Sequence, residues 1–229
     1  MTVTRTALVT GGTGGLGSAT ISAFLAAGWR VVAPVRPGNA GRLPGEAVAV
    51  EADLMVEAQV RAAAATAASE SGAPLRAVVN LVGGYASSGL IADTPVGDFE
   101  AMLTMNLRPT YLTTAAALPH LVAAGGGSVV CVSSRAAVAP FPGAAGYVTA
   151  KAAVLAFAGA VAVEYRKQNV RCNTVLPSII DTPANRTGQP DADRSRWVNP
   201  AAIAETILFL ASDTSAPTSG AQIPVYGQA

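Results

Sequence analysis

A run of glycines between a short apolar segment and a helical pattern is the feature that most restricts how this chain can fold. Residues 6–10 read T-A-L-V-T, residues 11–17 read G-G-T-G-G-L-G, and a periodic helical pattern over 16–27 ends at Gly28. A strand, a glycine loop and a helix in this order can hold a dinucleotide pyrophosphate, because glycines let the backbone approach it and the helix N-terminus offers free N–H groups. An ordinary glycine-rich turn is the alternative, since the spacing is not G-x-G-x-x-G.

Apolar runs and helical patterns alternate along the rest of the chain, which indicates an α/β protein. We predict a single-domain, doubly wound Rossmann fold over residues 1–229, with a seven-stranded, mostly parallel sheet flanked by helices. The predicted strands are 6–10, 29–36, 47–51, 75–81, 128–132, 169–176 and 222–226. The predicted helices are 16–27, 56–71, 95–124, 147–167 and 200–211.

The composition of the chain restricts its binding partners and the cellular compartment in which it is expected. The net charge is +1, which argues against nucleic acid because a nucleic-acid-binding surface is basic. No uncharged apolar run reaches about 18 residues, and the longest candidate, 152–163, directly follows Lys151, so no membrane span is predicted. The chain enters its first strand without a signal peptide, and Cys131 and Cys172 lie in predicted strands as buried thiols. We expect a cytoplasmic protein.

The same composition predicts self-association. Apolar residues make up 51% of the chain and charged residues 13%, so a subunit is expected to bury part of its surface against copies of itself. Between residues 152 and 163 the helix predicted over 147–167 is apolar on nearly every face, which is typical of a buried helix. We expect a homo-oligomer, a dimer or a tetramer, in which a neighbouring subunit covers this helix.

Residues 134–151 carry the side chains of an acid–base site. They read S-R-A-A-V-A-P-F-P-G-A-A-G-Y-V-T-A-K, after an apolar run that predicts a buried strand. If Tyr147 opens the helix that follows, Lys151 lies four residues later on the same face. The pKa of free tyrosine is about 10, and a cation within about 4–6 Å lowers it by favouring the phenolate. Ser134, at the end of the strand, can point its hydroxyl toward the same place as the phenol of Tyr147.

These features together resemble the short-chain dehydrogenase/reductase family. Ser134, followed thirteen residues later by Y-V-T-A-K, is similar to its active-site signature, and residues 10–17 match its T-G-x-x-x-G-x-G loop. The motif M-N-L-R-P at 105–109 resembles the place of the family's helix asparagine, which distorts its own helix and holds a water that relays protons to the lysine. The resemblance implies no metal. The implied catalytic residues are Asn106, Ser134, Tyr147 and Lys151.

The resemblance also implies a nicotinamide dinucleotide. The family's N-N-A-G is N-L-V-G at 80–83 here, which loses the second Asn, and P-S-I-I-D-T-P at 177–183 resembles its nicotinamide motif with Ser178 in place of Gly. Asp53 stands where the family binds the adenine amino group, and it fits equally well as a cap for the following helix. The implied cofactor contacts are Gly11, Thr13, Gly14, Gly15, Leu16, Gly17, Arg36, Asp53, Leu54, Asn80, Val82, Gly83, Tyr147, Lys151, Ile180 and Thr182.

The end of the second strand predicts which dinucleotide binds. An Asp there would accept hydrogen bonds from a ribose 2′-hydroxyl and repel a 2′-phosphate. This chain has Val35 followed by Arg36, and a guanidinium is the better partner for a phosphate. Gly14 occupies the other position that family members fill with a basic residue, so the prediction of NADP(H) depends on Arg36. NAD(H) is the alternative if Arg36 only points into water.

Residues 184–199 are polar and interrupted by Pro and Gly, which predicts a loop that serves as a short substrate lid. The pattern D-T-P-x-N-R…P-x-A-D…W resembles the lid of quinonoid dihydropteridine reductases, which generally lack the serine and carry an Asp for NADH. Packing under the next helix is the alternative role for Trp197. The only histidine, His120, is predicted to be a surface or packing residue. The predicted substrate contacts are Tyr85, Phe141 and Trp197, which suit a partly hydrophobic compound.

The predicted reaction is hydride transfer between NADP(H) and a small-molecule carbonyl or secondary alcohol, with Tyr147 as general acid/base. Pterin or quinone reduction is one alternative, which the lid favours and Ser134 and Val35 disfavour. A non-catalytic NADP(H)-sensing protein is the other, and it is disfavoured because all four chemical positions are filled.

Overall fold

A computed structural model describes residues 4–228, and its central feature is one seven-stranded sheet in the order β3-β2-β1-β4-β5-β6-β7. The strands are β1 Thr6–Val9, β2 Arg30–Val35, β3 Val48–Glu51, β4 Leu75–Asn80, β5 Gly127–Val132, β6 Val170–Pro177 and β7 Gln222–Val225. Neighbouring strands are parallel throughout, where the sequence predicted a mostly parallel sheet. Residues 1–3 and 229 of the predicted domain lie outside the described residues.

Helices cover both faces of the sheet, which confirms the predicted doubly wound α/β fold. The helices are α1 Gly15–Ala26, α2 Glu57–Ala68, α3 Val96–Ala123, α4 Ala145–Glu164, α5 Pro183–Gly188 and α6 Pro200–Ala211. Helices α1 and α6 pack on one face, and α2, α3 and α4 pack on the other.

The sheet has an apolar core on each face because its strands are apolar at nearly every position. In β4, Val78 faces the α2–α3–α4 layer, whereas Ala77 and Val79 face the α1–α6 layer, as alternation along a strand requires. Phe24 of α1 and Ile207 of α6 are fully buried in the second core. The loops at the ends of the strands therefore extend from a sheet that is packed on both faces.

Two helices differ from the prediction. Helix α4 begins at Ala145, so Tyr147 lies inside its first turn instead of opening it, still four residues before Lys151. The predicted lid loop 184–199 opens with the short helix α5, which the sequence reading missed. Thr182 caps this helix by accepting a hydrogen bond from the N–H of Asn185 at 3.2 Å, and Pro183 follows at its first position.

Helix α4 is long and apolar enough to pass a length-and-composition test for a membrane span, unlike the shorter run considered from the sequence. Core helices of soluble proteins pass the same test. Here α4 packs on β6 and α3, and its Val154 and Ala158 are buried in the core of that face. The two cysteines, Cys131 and Cys172, are buried free thiols, as predicted.

The order of the strands reverses between β1 and β4, and the loops after these two strands meet at that point. The hydroxyl of Thr10 accepts a hydrogen bond from the N–H of Leu81 at 3.1 Å and donates one to the carbonyl of Val79 at 3.3 Å. In open α/β sheets, ligands bind outside the carboxyl ends of the strands at such a reversal. The fold thus brings the loops that carry the predicted site to one edge of the sheet.

Candidate active site

The glycine loop is shaped by close contacts at Gly12 and Gly17, which leave no room for a side chain at either position. Gly11 has φ of +71°, and its carbonyl accepts a hydrogen bond from the N–H of Gly14 at 3.0 Å. A Cβ on Gly17 would collide with the carbonyl of Gly11, and one on Gly12 would meet the side chains of Ile21 and Leu43. The loop therefore lies close against the start of α1, as the glycine spacing predicted.

The start of α1 fits a dinucleotide phosphate. Gly14 precedes the helix with no side-chain cap, so the first-turn N–H groups have no side-chain acceptor in the described residues, and no acidic residue lies in that turn. Thr13 and Leu16 flank the same turn, half-buried. Gly14 provides space, because a Cβ there would meet only the carbonyl of Gly11 at 3.4 Å, and the helix N-terminus provides the partial positive charge that a pyrophosphate needs.

The side chains predicted to contact the adenosine end lie at the ends of β2 and β3. Arg36 is exposed directly after β2, whereas Val35 is 4% exposed and part of the strand. Asp53 is exposed, and its carboxylate accepts a hydrogen bond from the N–H of Met55 at 2.9 Å, so it stabilises the turn before α2 rather than capping the helix itself. Leu54 packs against the core of the α2–α3–α4 face.

Lys151 is buried beneath the end of β5. Its ammonium Nζ donates a hydrogen bond to the carbonyl of Val132 at 3.1 Å, and its own carbonyl accepts one from the hydroxyl of Ser133 at 2.7 Å. Burial lowers the pKa of Lys151 to about 8, because desolvation disfavours the charged amine. The ammonium lies 5.9 Å from the centroid of the Tyr147 ring. A lysine with this pKa can exchange a proton near neutral pH.

Tyr147 faces Ser134 across the site. Burial raises the pKa of Tyr147, and the interaction with the side chain of Ser134 lowers it by less. The sequence argument expected Lys151 to lower this pKa. The net direction is opposite, because the phenol is mostly desolvated and the ammonium is turned toward Val132. Tyr147 is therefore a protonated donor at neutral pH in this structure. The hydroxyl of Ser134 also accepts a hydrogen bond from the N–H of Ala136 at 3.1 Å.

Asn106 of α3 joins this group through the loop after β4. It is fully buried, its side-chain oxygen accepts a hydrogen bond from the N–H of Gly84 at 3.1 Å, and its amide donates to the carbonyls of Gly84 and Met102, each at 3.0 Å. A Cβ on Gly83 would lie 3.0 Å from the Nζ of Lys151 and would also meet Asn106. Helix α3 continues through Asn106 from Val96 to Ala123, so any local distortion there does not end the helix, and Pro109 lies inside it three residues later.

Asn80, at the end of β4, turns its side chain into the protein. Its amide donates to the hydroxyl of Thr114 at 2.9 Å and approaches the sulfur of Cys131 at 3.7 Å. Of the three predicted cofactor contacts in this segment, Val82 lies near the glycine loop, because a Cβ on Gly11 would touch its side chain at 3.4 Å. The side chain of Asn80 therefore connects the end of β4 to helix α3 and to strand β5.

The sequence analysis missed two contacts of this site: that of Ser133 with the backbone of Lys151, and that of Gly84 with the side chain of Asn106. The doubled serine before R-A-A and the doubled glycine after β4 were their only sequence signals. His120 is half-buried in the last turn of α3, as predicted for a packing residue.

The segment after β6 begins over the glycine loop. A Cβ on Gly15 would lie 2.8 Å from the side chain of Thr182, so these two predicted cofactor contacts are neighbours. Ile180 pairs with Val198 through an isolated parallel bridge, which ties the start of the lid to its end. The fold thus places the predicted nicotinamide motif and the predicted phosphate loop side by side.

Of the three predicted substrate contacts, Tyr85 lies beside the phenol of Tyr147, and Phe141 lies beside Tyr85. The Tyr85 ring stands edge-on to Tyr147 at 5.2 Å between centroids, and Phe141 is 6.2 Å from Tyr85. Both side chains are about half exposed, at 57% for Tyr85 and 45% for Phe141. Trp197 is half-buried in the lid, where the guanidinium of Arg194 lies 5.8 Å from its ring. Tyr85 and Phe141 therefore form an exposed aromatic wall next to Tyr147.

A doubly wound sheet, a helix-capped glycine loop and a Ser–Tyr–Lys–Asn group at the carboxyl edge define a dinucleotide-dependent oxidoreductase of the Rossmann type. The sequence profile of the short chain dehydrogenase family matches residues 5–193. The chain belongs to the short-chain dehydrogenase/reductase family, a family of oxidoreductases.

Curated relatives and solved structures agree with this assignment. The chain is 33% identical, over 98% of both chains, to 2-(R)-hydroxypropyl-CoM dehydrogenase of Xanthobacter autotrophicus. It is 30% identical, over 97% of its own length and 95% of the relative, to the 2,5-dichloro-2,5-cyclohexadiene-1,4-diol dehydrogenase LinX of Sphingobium indicum. A short-chain type dehydrogenase/reductase from Mycobacterium ulcerans matches with a TM-score of 0.92 and 27% identity, over 99% of this chain and 90% of that one.

Proposed function

We propose that the protein is an NADP(H)-dependent oxidoreductase that interconverts a small-molecule carbonyl and a secondary alcohol. The observation that carries the proposal is the grouping of Ser134, Tyr147, Lys151 and Asn106 at the edge where the glycine loop ends. Burying an ammonium is unfavourable, so a buried lysine beside a protonated phenol is not expected in a non-catalytic sensor.

Each side chain has a definite task in this reaction. When bound, NADPH supplies the hydride to the carbonyl carbon. Tyr147 is protonated at neutral pH, since burial raises its pKa further above the ordinary value of about 10, and it donates the proton to the carbonyl oxygen. Ser134 donates a hydrogen bond to the same oxygen and stabilises the charge that develops on it. Lys151, with a pKa of about 8, can return a proton to Tyr147.

Asn106 has a positioning task. It holds both the N–H and the carbonyl of Gly84, and the adjacent Gly83 lies against Lys151. Loss of the Asn106 amide would release the turn that carries Tyr85 and the contact with Lys151. We therefore assign Asn106 to the alignment of the acid–base pair.

The relatives support an alcohol or carbonyl substrate. Their names describe dehydrogenases of a hydroxypropyl compound and of a cyclohexadienediol. In this chain, the aromatic wall beside Tyr147 suits a substrate with an apolar ring or chain. Pterin or quinone reduction is the competing activity, because flat rings would also lie against Tyr85 and Phe141.

Self-association and a cytoplasmic location complete the proposal. The exposed apolar side chains of α3 and α4 include Tyr111 at 54% and Val163 at 76%, and the rings of Tyr111 and Phe157 lie 5.9 Å apart. Apolar area of this kind on two adjacent helices favours a contact with a second copy of the chain.

The test is NADPH consumption, followed by absorbance, with a panel of β-ketoacyl thioesters, cyclic and aromatic ketones, quinones and a quinonoid dihydropterin. NADH is run in parallel. Turnover of a ketone with NADPH preferred is the expected result. Turnover of the pterin or of quinones alone would replace the proposed substrate class. Tight NADPH binding with no turnover of any compound would favour the sensor.

A further inference from the structure

Arg135 occupies the position next to the catalytic serine and has no task in the mechanism above. It begins a 3₁₀ turn, Arg135–Ala137, that directly follows Ser134, and its side chain is half-buried. Its guanidinium carbon lies 5.2 Å from the ring centroid of Tyr226, which follows directly after β7. The carbonyl of Tyr226 accepts a hydrogen bond from the hydroxyl of Ser178 at 2.8 Å. The backbone of Tyr226 is therefore tied to the residue that follows β6.

The hydrogen-bond donors of Arg135 are unused within residues 4–228. In that part of the chain, its guanidinium donates no hydrogen bond and no carboxylate oxygen lies within 4.0 Å of it. Other guanidinium groups near the lid are engaged: Arg186 binds Asp181 at 2.6 and 2.7 Å, and Arg196 donates to the carbonyl of Gln228 at 2.7 Å. A guanidinium has five N–H donors in a planar fork that matches a carboxylate.

The order of the strands places the guanidinium of Arg135 on one side of Tyr147, the proposed acid. The aromatic wall formed by Tyr85 and Phe141 lies on the other side. Tyr85 follows β4, which is one neighbour of β5, whereas Tyr226 follows β7, which lies beyond β6 on the opposite side. Ser134 follows β5, which lies between these two strands in the sheet. A substrate whose oxygen reaches Ser134 and Tyr147 would thus meet aromatic rings toward β4 and a cation toward β7.

We propose that Arg135, supported by Tyr226, is an anion subsite, and that the substrate carries an anionic oxygen group such as a carboxylate or a sulfonate. The substrate class is then an aryl or cyclic keto acid, or the corresponding hydroxy acid, with its ring toward Tyr85 and its anion toward Arg135. The guanidinium would bind the anion through two parallel N–H···O bonds. The inference rests on the proposed function, because it deepens the account of the same site.

Binding measured by calorimetry tests the subsite without any turnover. The probe is benzoylformate, an aryl keto acid, added to the complex with NADP⁺, which cannot reduce it, and the matched neutral ligand is its methyl ester. The acid should bind more tightly than the ester in the wild-type protein. In Arg135→Gln, this preference should fall by about 10- to 100-fold, as expected for a charge-assisted hydrogen bond. Arg135→Lys should retain an intermediate preference.

Three variants separate the subsite from a structural role. Tyr226→Phe keeps the ring under the guanidinium and should retain the preference for the acid, whereas Tyr226→Leu should reduce it. Arg194→Gln removes a second guanidinium that lies over an aromatic ring of the lid, and it should leave the preference unchanged. An equal loss of acid and ester binding in Arg135→Gln would mean that Arg135 only supports the turn after Ser134, and the inference would fail.

The same pair of ligands distinguishes this inference from the proposed function. Acid binding that depends on Arg135, with no NADPH oxidation, would retain the subsite and remove the proposed reaction. Reduction of aryl ketones with no preference for the acid over the ester would retain the reaction and remove the subsite.

Discussion

At the scale of single residues, the burial of Lys151 has the largest electrostatic consequence. The side chain is 6% exposed, and its pKa is about 8 in the folded protein against 10.5 for the free group. Below about pH 8 the lysine is charged in both the folded and the unfolded chain, so the folded protein bears the whole desolvation penalty. As the pH rises from 8 toward 10.5, the unfolded chain binds more protons than the folded one, and the penalty disappears.

Replacing Lys151 by Met should therefore stabilise the protein at pH 7. We expect the free energy of unfolding to rise by about 1–3 kcal/mol, since each unit of pKa shift corresponds to about 1.4 kcal/mol and the lost bond to Val132 offsets part of the gain. The gain should shrink between pH 8 and pH 10.5. Urea denaturation of the cofactor-free protein at both ends of this range measures it, with Lys167→Met, at an exposed lysine, as the control.

A Lys151→Met variant that is less stable than the wild type at pH 7 would contradict this account. That result would mean that the contacts of the ammonium outweigh its desolvation. The variant should be inactive in either case, because the acid–base pair is lost.

The choice of cofactor depends on a second residue, Arg36. Arg36→Asp puts a carboxylate at the end of β2, where it would repel a 2′-phosphate and accept hydrogen bonds from a 2′-hydroxyl. The ratio of kcat/KM for NADPH to that for NADH should fall on the order of 100-fold and drop below one. Arg42→Asp, on the loop after β2, is the control for the change in charge. An unchanged ratio in Arg36→Asp, or an equal change in both variants, would remove Arg36 from this role.

At the scale of elements, the join between the glycine loop and α1 permits little change. A Cβ at Gly17 would overlap the backbone carbonyl of Gly11, and side-chain rotation cannot relieve a backbone overlap. Gly17→Ala should destabilise the protein by about 2–4 kcal/mol and weaken NADPH binding. Gly97→Ala in α3 is the control, because nothing lies within 4 Å of a Cβ there, and it should be neutral or stabilising by up to about 1 kcal/mol. Equal melting temperatures for the two variants would argue against the close packing.

The strands and helix α5 also show how much of this structure the sequence can predict. The strands were predictable because each is a short apolar run bounded by turn residues, as in V-V-N at the end of β4. The helix α5 was missed because Thr182 and Pro183 were interpreted as a nicotinamide motif, although a threonine followed by proline is also a helix start.

Contacts between segments that are distant in the chain could not be predicted from the sequence. The types of the four proposed site residues and their positions on strand ends and helices follow from local patterns and from the family resemblance. The hydrogen bonds from Asn106 to Gly84 span 22 residues, and the cation–π contact of Arg135 with Tyr226 joins the ends of two strands that are not neighbours. The rise in the pKa of Tyr147 was also unpredictable, since it depends on burial that no spacing rule gives.

At the scale of the whole molecule, the apolar surface of α3 and α4 predicts the oligomeric state. Tyr111→Glu places a charge on the proposed contact and should shift the protein from an oligomer to a monomer in light scattering. Ala58→Glu, at an exposed position of α2, is the control and should leave the mass unchanged. A wild-type monomer, or an unchanged mass in Tyr111→Glu, would show that this face is not a subunit contact.

The measurement that tests the central claim most directly is the turnover of Tyr147→Phe with the ketone that the wild-type protein reduces. The substitution removes only the hydroxyl that donates the proton, so turnover should fall by about 10²–10⁴-fold, the usual contribution of general acid catalysis. The dissociation constant for NADPH, measured on the same preparation, should stay close to that of the wild type. Near-normal turnover in this variant would contradict the assignment of Tyr147 as the acid and, with it, the proposed mechanism.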